Sequence, residues 1–371
     1  MKRNRSGRLS AVVAAGVLAL AACGNDPVAS NTGNDQPTSG VTSDLSGELA
    51  AGGASSQEAA MQAWIAGFQE AHPDVTVSYD PIGSGGGRTQ FLEGAYPFAG
   101  SDAVLDEEER QQSVERCGGS PAIHLPVYIS PIAIVYNLEG VDDLQLSPST
   151  IAKIFNRQIT TWNDPAIAAE NPGVDLPDLP ISPVSRSDES GTTENFTEYL
   201  AAAAPEDWPH EPSGDWPVEG TQGAQGTSGV IQTVRGGQGT IGYADASQAG
   251  DLGTVKVKVG DEYVAYSAEA AAKVVDASPR VPGASQHDLA IELDRTTTEP
   301  GTYPIVLVSY VITCPSYDDV TEGQLVKEFL GYIASEEGQR RAADAAGSAP
   351  LSSEMTEQVQ AAIEAIQVGS S

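Results

Sequence analysis

Positive charge is scarce in this chain. Its 371 residues carry 19 Lys+Arg against 51 Asp+Glu, a formal net charge of −32. A polyanion partner needs a basic footprint, so nucleic acid is excluded as an expected ligand. Electrostatic adhesion to anionic lipid is disfavoured for the same reason. Histidine is rarer still: His72, His124, His210 and His287 are the four present and sit in no recognisable motif. No metal-ligand cluster, no Gly-x-Ser-x-Gly elbow, no Walker A motif and no properly spaced dinucleotide fingerprint is present. A nucleophilic serine needs a base, so a hydrolase or phosphatase using Ser84 or Ser190 has little to build on, and no enzyme is expected. No internal repeat is visible, and no apolar run reaches the ~20 residues that span a bilayer. What remains is ample for a globular core: 40% of residues are hydrophobic, enough for two domains or one large one.

The N-terminus reads as a targeting segment. Lys2, Arg3, Arg5 and Arg8 form a basic head before the apolar residues 9–20, the pattern of a signal peptide. The sequence Leu20-Ala21-Ala22-Cys23-Gly24 resembles the lipobox of bacterial lipoproteins. That resemblance implies removal of residues 1–22 and lipidation of Cys23, with several acyl chains making a lasting anchor. The alternative is an ordinary secretory signal with an incidental cysteine. Residues 23–44 then form the lipidated cysteine and a flexible tether, reaching on the order of 25 Å. Cys117 and Cys314 remain. In an exported protein they can form one disulfide, worth roughly 5 kcal/mol in the chain-entropy model; two buried free thiols are the alternative.

The body alternates short β-rich runs with helical patterns, which argues for an α/β architecture. Val75-Thr76-Val77-Ser78-Tyr79 reads as a strand, as do residues 122–136 and 303–312. Met61, Trp64, Ile65 and Phe68 fall on one helical face. Residues 151–155 and 325–333 are further helix candidates. The Pro-rich residues 171–183 and 204–217 are loops, the second packed down by Trp208 and Trp216.

Four Gly/Ser turns each open a helical pattern: Gly52-Gly53-Ala54-Ser55-Ser56, Gly83-Ser84-Gly85-Gly86-Gly87, Ser190-Gly191-Thr192-Thr193 and Gly226-Thr227-Ser228-Gly229. Ser55 and Glu58 have capping-box spacing. Helix N-termini present unpaired N–H groups and a partial positive charge. With glycines and hydroxyls added they bind oxyanions without many cations, which matters in so acidic a chain. Each turn alone is a plain helix cap; four together point to an oxyanion. Arg186, just before the third turn, can fork onto two anion oxygens, or sit in a surface ion pair. Asp102, in Gly100-Ser101-Asp102, suits a ligand that still carries a proton. Phosphate near neutral pH has a P–OH to donate and sulfate has none. Sites that need such a proton discriminate by up to roughly 10⁴-fold. The plain alternative for Asp102 is an N-cap for a helix near residues 106–110.

In order, spacing and content these motifs, together with Tyr79 to Gly87 and Gly239-Thr240-Ile241-Gly242-Tyr243, resemble the PstS family. These are the phosphate-binding receptors of the bacterial ABC phosphate importer. The resemblance covers about residues 45–366. It implies a two-lobed class II periplasmic-binding fold, two mixed sheets flanked by helices and joined by a hinge. Lobe 1 would comprise 45–126 plus 304–371 and lobe 2 127–303, with crossings near Leu125-Pro126-Val127 and Pro304-Ile305-Val306. It also implies phosphate contacts from Ser55, Ser56, Ser84, Asp102, Arg186, Ser190, Gly191 and Thr192, with Asp188 orienting Arg186. Permease subunits are the implied partner, no cofactor or metal is implied, and a monomer is expected. The chain departs from the family at Ser55-Ser56-Gln57, where Thr-Phe-Pro is frequent. Arg88 stands where many relatives are apolar, and an exposed side chain is expected there. The Gly226–Gly229 turn is given no direct ligand contact. A same-fold receptor for sulfate or molybdate, or a phosphate sensor or adhesin, are the competing readings.

Overall fold

The computed structural model describes residues 45–369, so the leader, Cys23 and the tether fall outside the described residues. The strands are β1 (Gly47–Gly53), β2 (Val75–Asp80), β3 (Phe98–Ser101), β4 (Ile123–Asn137), β5 (Leu144–Leu146), β6 (Ser182–Arg186), β7 (Gln222–Ala224), β8 (Thr240–Asp245), β9 (Gly253–Val259), β10 (Glu262–Val264) and β11 (Val306–Thr313), with a short pair β12 (Ser316–Tyr317) and β13 (Gln367–Val368). The helices are α1 (Glu58–Ala71), α2 (Ser84–Leu92), α3 (Glu107–Arg116), α4 (Pro148–Phe155), α5 (Pro165–Glu170), α6 (Gly191–Ala203), α7 (Gly226–Gly236), α8 (Ala268–Ala277), α9 (Val320–Ile333), α10 (Glu336–Ala346) and α11 (Ser353–Glu364).

The strands follow the order β2-β1-β3-β11-β4-β8-β6-β7. One half is built on β1, parallel to both β2 and β3, and is closed by β11 running antiparallel to β3 and β4. The other half is built on β6, parallel to β8 and β7, with β8 antiparallel to β4. β4 belongs to both. Its residues 123–131 pair with β11 and its residues 132–137 with β8. Nearly every side chain of this long strand is buried, which explains why its sequence is a continuous apolar run rather than an alternating one. Pro126 lacks a ladder N–H, and the register between β4 and β11 slips beside it, at Ser309/Tyr310.

The sequence-derived elements at 75–79, 151–155 and 325–333 lie within β2, α4 and α9. Met61, Trp64 and Phe68 of α1 are buried, and Trp64 Nε1 donates to Gly338 O (2.8 Å) at the start of α10. Ile65, expected on the same stripe, is only half-buried. Trp208 is buried, and Trp216 stacks near Phe196 and Tyr243, pinning the 204–217 loop. Cys117, at the C-cap of α3, is disulfide-bonded to Cys314, just after β11, with Cα atoms 5.2 Å apart and 197 residues between them in sequence.

Two local expectations fail for one reason each. The Ser55–Glu58 capping box does not form: residues 55–57 make a 3₁₀ turn, α1 starts without a side-chain cap, and the Ser55 hydroxyl is engaged elsewhere. Asp102 is not an N-cap either. Asp106 caps α3, in a complete capping box with Glu109.

Candidate functional site

Parallel strands end on the same edge, so β1, β2 and β3 deliver Ser55/Ser56, Ser84 and Asp102 side by side. β6 ends on Arg186, and α6 opens at Gly191 with Ser190 as its N-cap, accepting from Thr193 N (3.2 Å). α7 opens at Gly226. Several helix or 3₁₀ starts therefore converge on one place. Ser55, Ser56, Ser84, Asp102, Arg186, Ser190 and Thr192 are all buried there.

Asp102 is the centre of the cluster. Its Oδ1 accepts from Ser56 Oγ (2.6 Å) and from Ser309 Oγ of β11, and its Oδ2 accepts from Thr192 Oγ1 (2.9 Å). Its backbone N donates to Ser84 Oγ (3.1 Å). A Cβ on Gly191 would lie 2.6 Å from Ser84 Oγ and 2.8 Å from Asp102 Cβ, so only glycine lets the α6 turn approach this closely. Burial pushes the Asp102 carboxyl above its ordinary range, although the three hydroxyls and the charge of Arg186 oppose it. The carboxylate is thus poised as an acceptor of a further proton.

Arg186 forms the other side. Asp188 takes its Nε (2.8 Å) and also bonds its Nη2. Burial raises the Asp188 carboxyl, but the bonds and charge of Arg186 outweigh this and hold it below its ordinary range. Asp188 and Arg186 are thus bonded to one another, as an orienting partner would be. Asp188 occupies the Nε/Nη2 side of the guanidinium and leaves the Nη1/Nη2 end as the fork that can face a ligand. Asp188 Oδ1 further accepts from Gly226 N (3.1 Å), and Thr227 N donates to Ser55 Oγ (3.1 Å). A ring of contacts therefore runs from Arg186 through Asp188 and the start of α7 back to Ser55. The Ser190 N–H is committed to Gly214 O (3.0 Å), so this residue has only its hydroxyl proton to offer a ligand.

Arg88 corrects an expectation. It is buried, not exposed: its Nε sits between both Glu109 oxygens (2.8 and 3.0 Å), its Nη1 donates to Ser101 Oγ (3.2 Å), and its Nη2 pairs with Glu189 (3.0 Å). Sequence reasoning also missed Ser309 and Asn195, and it singled out the turn that holds Thr227 without foreseeing its bond to Ser55. Asn195 Nδ2 donates to both Asp102 O (2.7 Å) and Gly191 O (2.8 Å), fixing the backbone on two sides of the site. The Gln57 that replaces the family's frequent proline donates to Ser309 Oγ (2.6 Å) and Tyr310 O (2.9 Å), holding the hydroxyl that serves Asp102.

A cavity of about 500 Å³ opens beside Asp102, lined also by Glu194, Glu198, Glu292 and Arg295. Burial pushes Glu194 up to about 7. Three glutamates make this cavity a poor seat for an anion. The donor cluster around Asp102 and Arg186 is the better one.

A family model described as a PBP superfamily domain matches residues 29–337. The phosphate-binding protein PstS 2 of Mycobacterium tuberculosis is 39% identical over 99% of this chain and 100% of its own length. The chain belongs to the PstS family of phosphate-binding proteins. Another PstS relative, PstS 3 of the same species, is 38% identical over 89% of this chain and 90% of its own. PstS of Xylella fastidiosa is 29% identical over 88% and 91%. Among solved structures, a high affinity periplasmic phosphate-binding protein (PfluDING) bound with phosphate superposes with a TM-score of 0.69 over 85% of this chain and 93% of its own, at 22% identity. The phosphate-binding protein from Stenotrophomonas maltophilia gives 0.64 over 85% and 93%, at 21% identity. The fold is accordingly the α/β, two-lobed periplasmic-binding type of PstS receptors.

Proposed function

We propose that this chain captures inorganic phosphate between its two lobes, outside the cytoplasmic membrane, and delivers it to an ABC-type importer. One observation carries the reading: a buried carboxylate, Asp102, sits among hydroxyl and helix-start donors, across from a single oriented arginine. Such a set suits an oxyanion that keeps a proton. Ser55, Ser56, Ser84, Ser190, Gly191 and Thr192 supply neutral donors, Arg186 the one cation, and Asp102 accepts the P–OH. Family membership supports the transport role, since the relatives are named for phosphate binding.

Lobe 1 is assigned 45–126 plus 304–371 and lobe 2 127–303. The change of partner within β4 supports a crossing near Pro131 and Ile132, a few residues beyond the Leu125–Val127 expected from sequence. Phosphate bridging the lobes favours the closed form through differential affinity. The signal segment supports anchoring through lipid on Cys23, and the chain is taken to act as a monomer. No described helix is long and apolar enough to cross a membrane.

Calorimetric titration of protein stripped of carried-over phosphate tests the reading. Tight one-to-one phosphate binding is expected, with no sulfate signal, and Arg186→Ala should weaken phosphate strongly. Equal binding of sulfate would remove Asp102 from its selective role. Binding of neither anion would refute the function.

A further inference from the structure

Arg88 is a buried cation that none of the proposed ligand contacts requires. We infer that Arg88 is a cross-cleft latch: it positions the two halves of the anion site and holds the closed form together without touching the ligand. The inference rests on the two-lobed, cleft-binding reading above.

The geometry is specific. Within its own lobe Arg88 is fixed by both oxygens of Glu109, on α3, and reaches Ser101 Oγ. Ser101 Oγ in turn donates to Ala103 O (2.6 Å), so Arg88 braces the turn that carries Asp102. Across the cleft its Nη2 meets Glu189 Oε1 at 3.0 Å. Glu189 lies between Asp188, which orients Arg186, and Ser190, which caps α6. One guanidinium therefore ties the Asp102 turn to the Arg186 turn.

The seat of Glu189 is shaped for it. Its carboxylate lies so close over the Cα atoms of Gly85 and Gly214 that a Cβ on either would collide with it. This puts the acid on the first turn of α2, whose N-terminal dipole favours a negative charge. The electrostatics also call for a cation here. Closing the cleft brings Glu189 and Glu194 toward Glu109; burial lowers the Arg88 guanidinium, but these three acids outweigh it and raise it above its ordinary range. Without Arg88, closure would bring like charges together.

A contact made only in the closed form shifts the open–closed ratio, and by linkage it shifts ligand affinity by the same factor when the open form dominates. The test uses the full-length chain in detergent, with fluorescence energy transfer between dyes on exposed positions of α5 and α11, alongside phosphate titration. Glu189→Gln keeps the shape and removes the cross-cleft charge. It should shift the ligand-free ratio toward open by about fivefold, the scale of a partly exposed charge pair, and weaken phosphate comparably through faster release. Arg88→Met should do at least as much, and the double variant should be no worse than Arg88→Met. Glu109→Gln, which loses only the same-side partner, should leave the ratio within about twofold. An unchanged ratio in Glu189→Gln, or additive effects in the double variant, would overturn the latch. If the unmodified chain bound no phosphate, the functional reading would fail, and the ligand-free ratio would still decide the latch.

Discussion

Exchanging Asp102 for asparagine should separate ligand recognition from folding. In the native arrangement Oδ1 accepts from Ser56 and Ser309, and Oδ2 accepts from Thr192. An asparagine can place its carbonyl oxygen at Oδ1 and its amide at Oδ2. The first two bonds then survive, and the Thr192 hydroxyl rotates from donor to acceptor. Burial already holds the Asp102 carboxyl above its ordinary range despite those donors, so a neutral amide relieves a desolvation cost. Ligand-free stability should stay within about 1 kcal/mol, since a satisfied isosteric exchange is nearly neutral. Phosphate, however, loses the anionic acceptor for its P–OH. A charge-assisted hydrogen bond is worth about 1.5–3 kcal/mol, so affinity should fall about 10- to 150-fold. Sulfate should gain measurable binding, because the carboxylate that repelled it is gone. Denaturant unfolding and calorimetry with both anions read the two effects separately. Phosphate affinity within twofold of the native protein, or continued exclusion of sulfate, would refute the assignment of Asp102. A stability loss beyond about 2 kcal/mol would instead refute the rotated hydroxyl network.

Two further outcomes follow from packing and from buried charge. A Cβ at Gly87 of α2 would strike the backbone of Gly53 and lie 3.2 Å from Gly100 O, none of it able to swing aside, whereas Gly331 in α9 has open space. Gly87→Ala should cost about 3 kcal/mol or more, and Gly331→Ala should stabilise by about 0.5–1 kcal/mol, both read by urea unfolding; equal effects would contradict the close approach of α2 to β1. Burial pushes Asp245, at the end of β8, up to about 6. Its folded pKa exceeds the unfolded value, so its favourable contribution is complete below about pH 4 and is lost as pH rises through 6. Asp245→Asn should therefore be about 3 kcal/mol more stable than the native chain at pH 8 and converge with it near pH 4; a difference independent of pH would refute the assignment.

Much of the site was legible because it is made of local signals. Ser190 as a cap, Gly83 before a helix and Gly191 at a helix start are decided within a few residues, and all three stand as read. Arg186 with Asp188 is also local, two positions apart. The failures share the opposite property. Ser55 and Glu58 have the right spacing for a box, yet the hydroxyl goes to Thr227, 172 residues away. Arg88 looked like a surface residue of a glycine-rich helix. Its burial depends on Glu109 and Glu189, which only the fold brings to it. Ser309 lies in an apolar strand where nothing marks it as a hydrogen-bond donor until the slip beside Pro126 is seen. The disulfide sits between these cases, since an exported chain with two remaining cysteines narrows the pairing to one.

The strong acidity of the chain then has a consistent place in the site's design. Each buried arginine near the cluster is already matched: Arg186 by Asp188, Arg88 by Glu109 and Glu189. Little uncompensated positive charge is left to attract an arbitrary anion. What remains is a shell of oriented, neutral donors at helix starts, plus the carboxylate that the proposed function assigns to rejecting a ligand without a proton. Short-range dipoles act over roughly one turn, so they hold an anion that has entered but do not draw in the surrounding pool. Discrimination by protonation thus depends on the cations being neutralised. Removing Asp188, the acidic partner of Arg186, would leave a bare guanidinium beside the cluster, and the expected consequence is loss of selectivity against sulfate rather than a simple gain in affinity for phosphate.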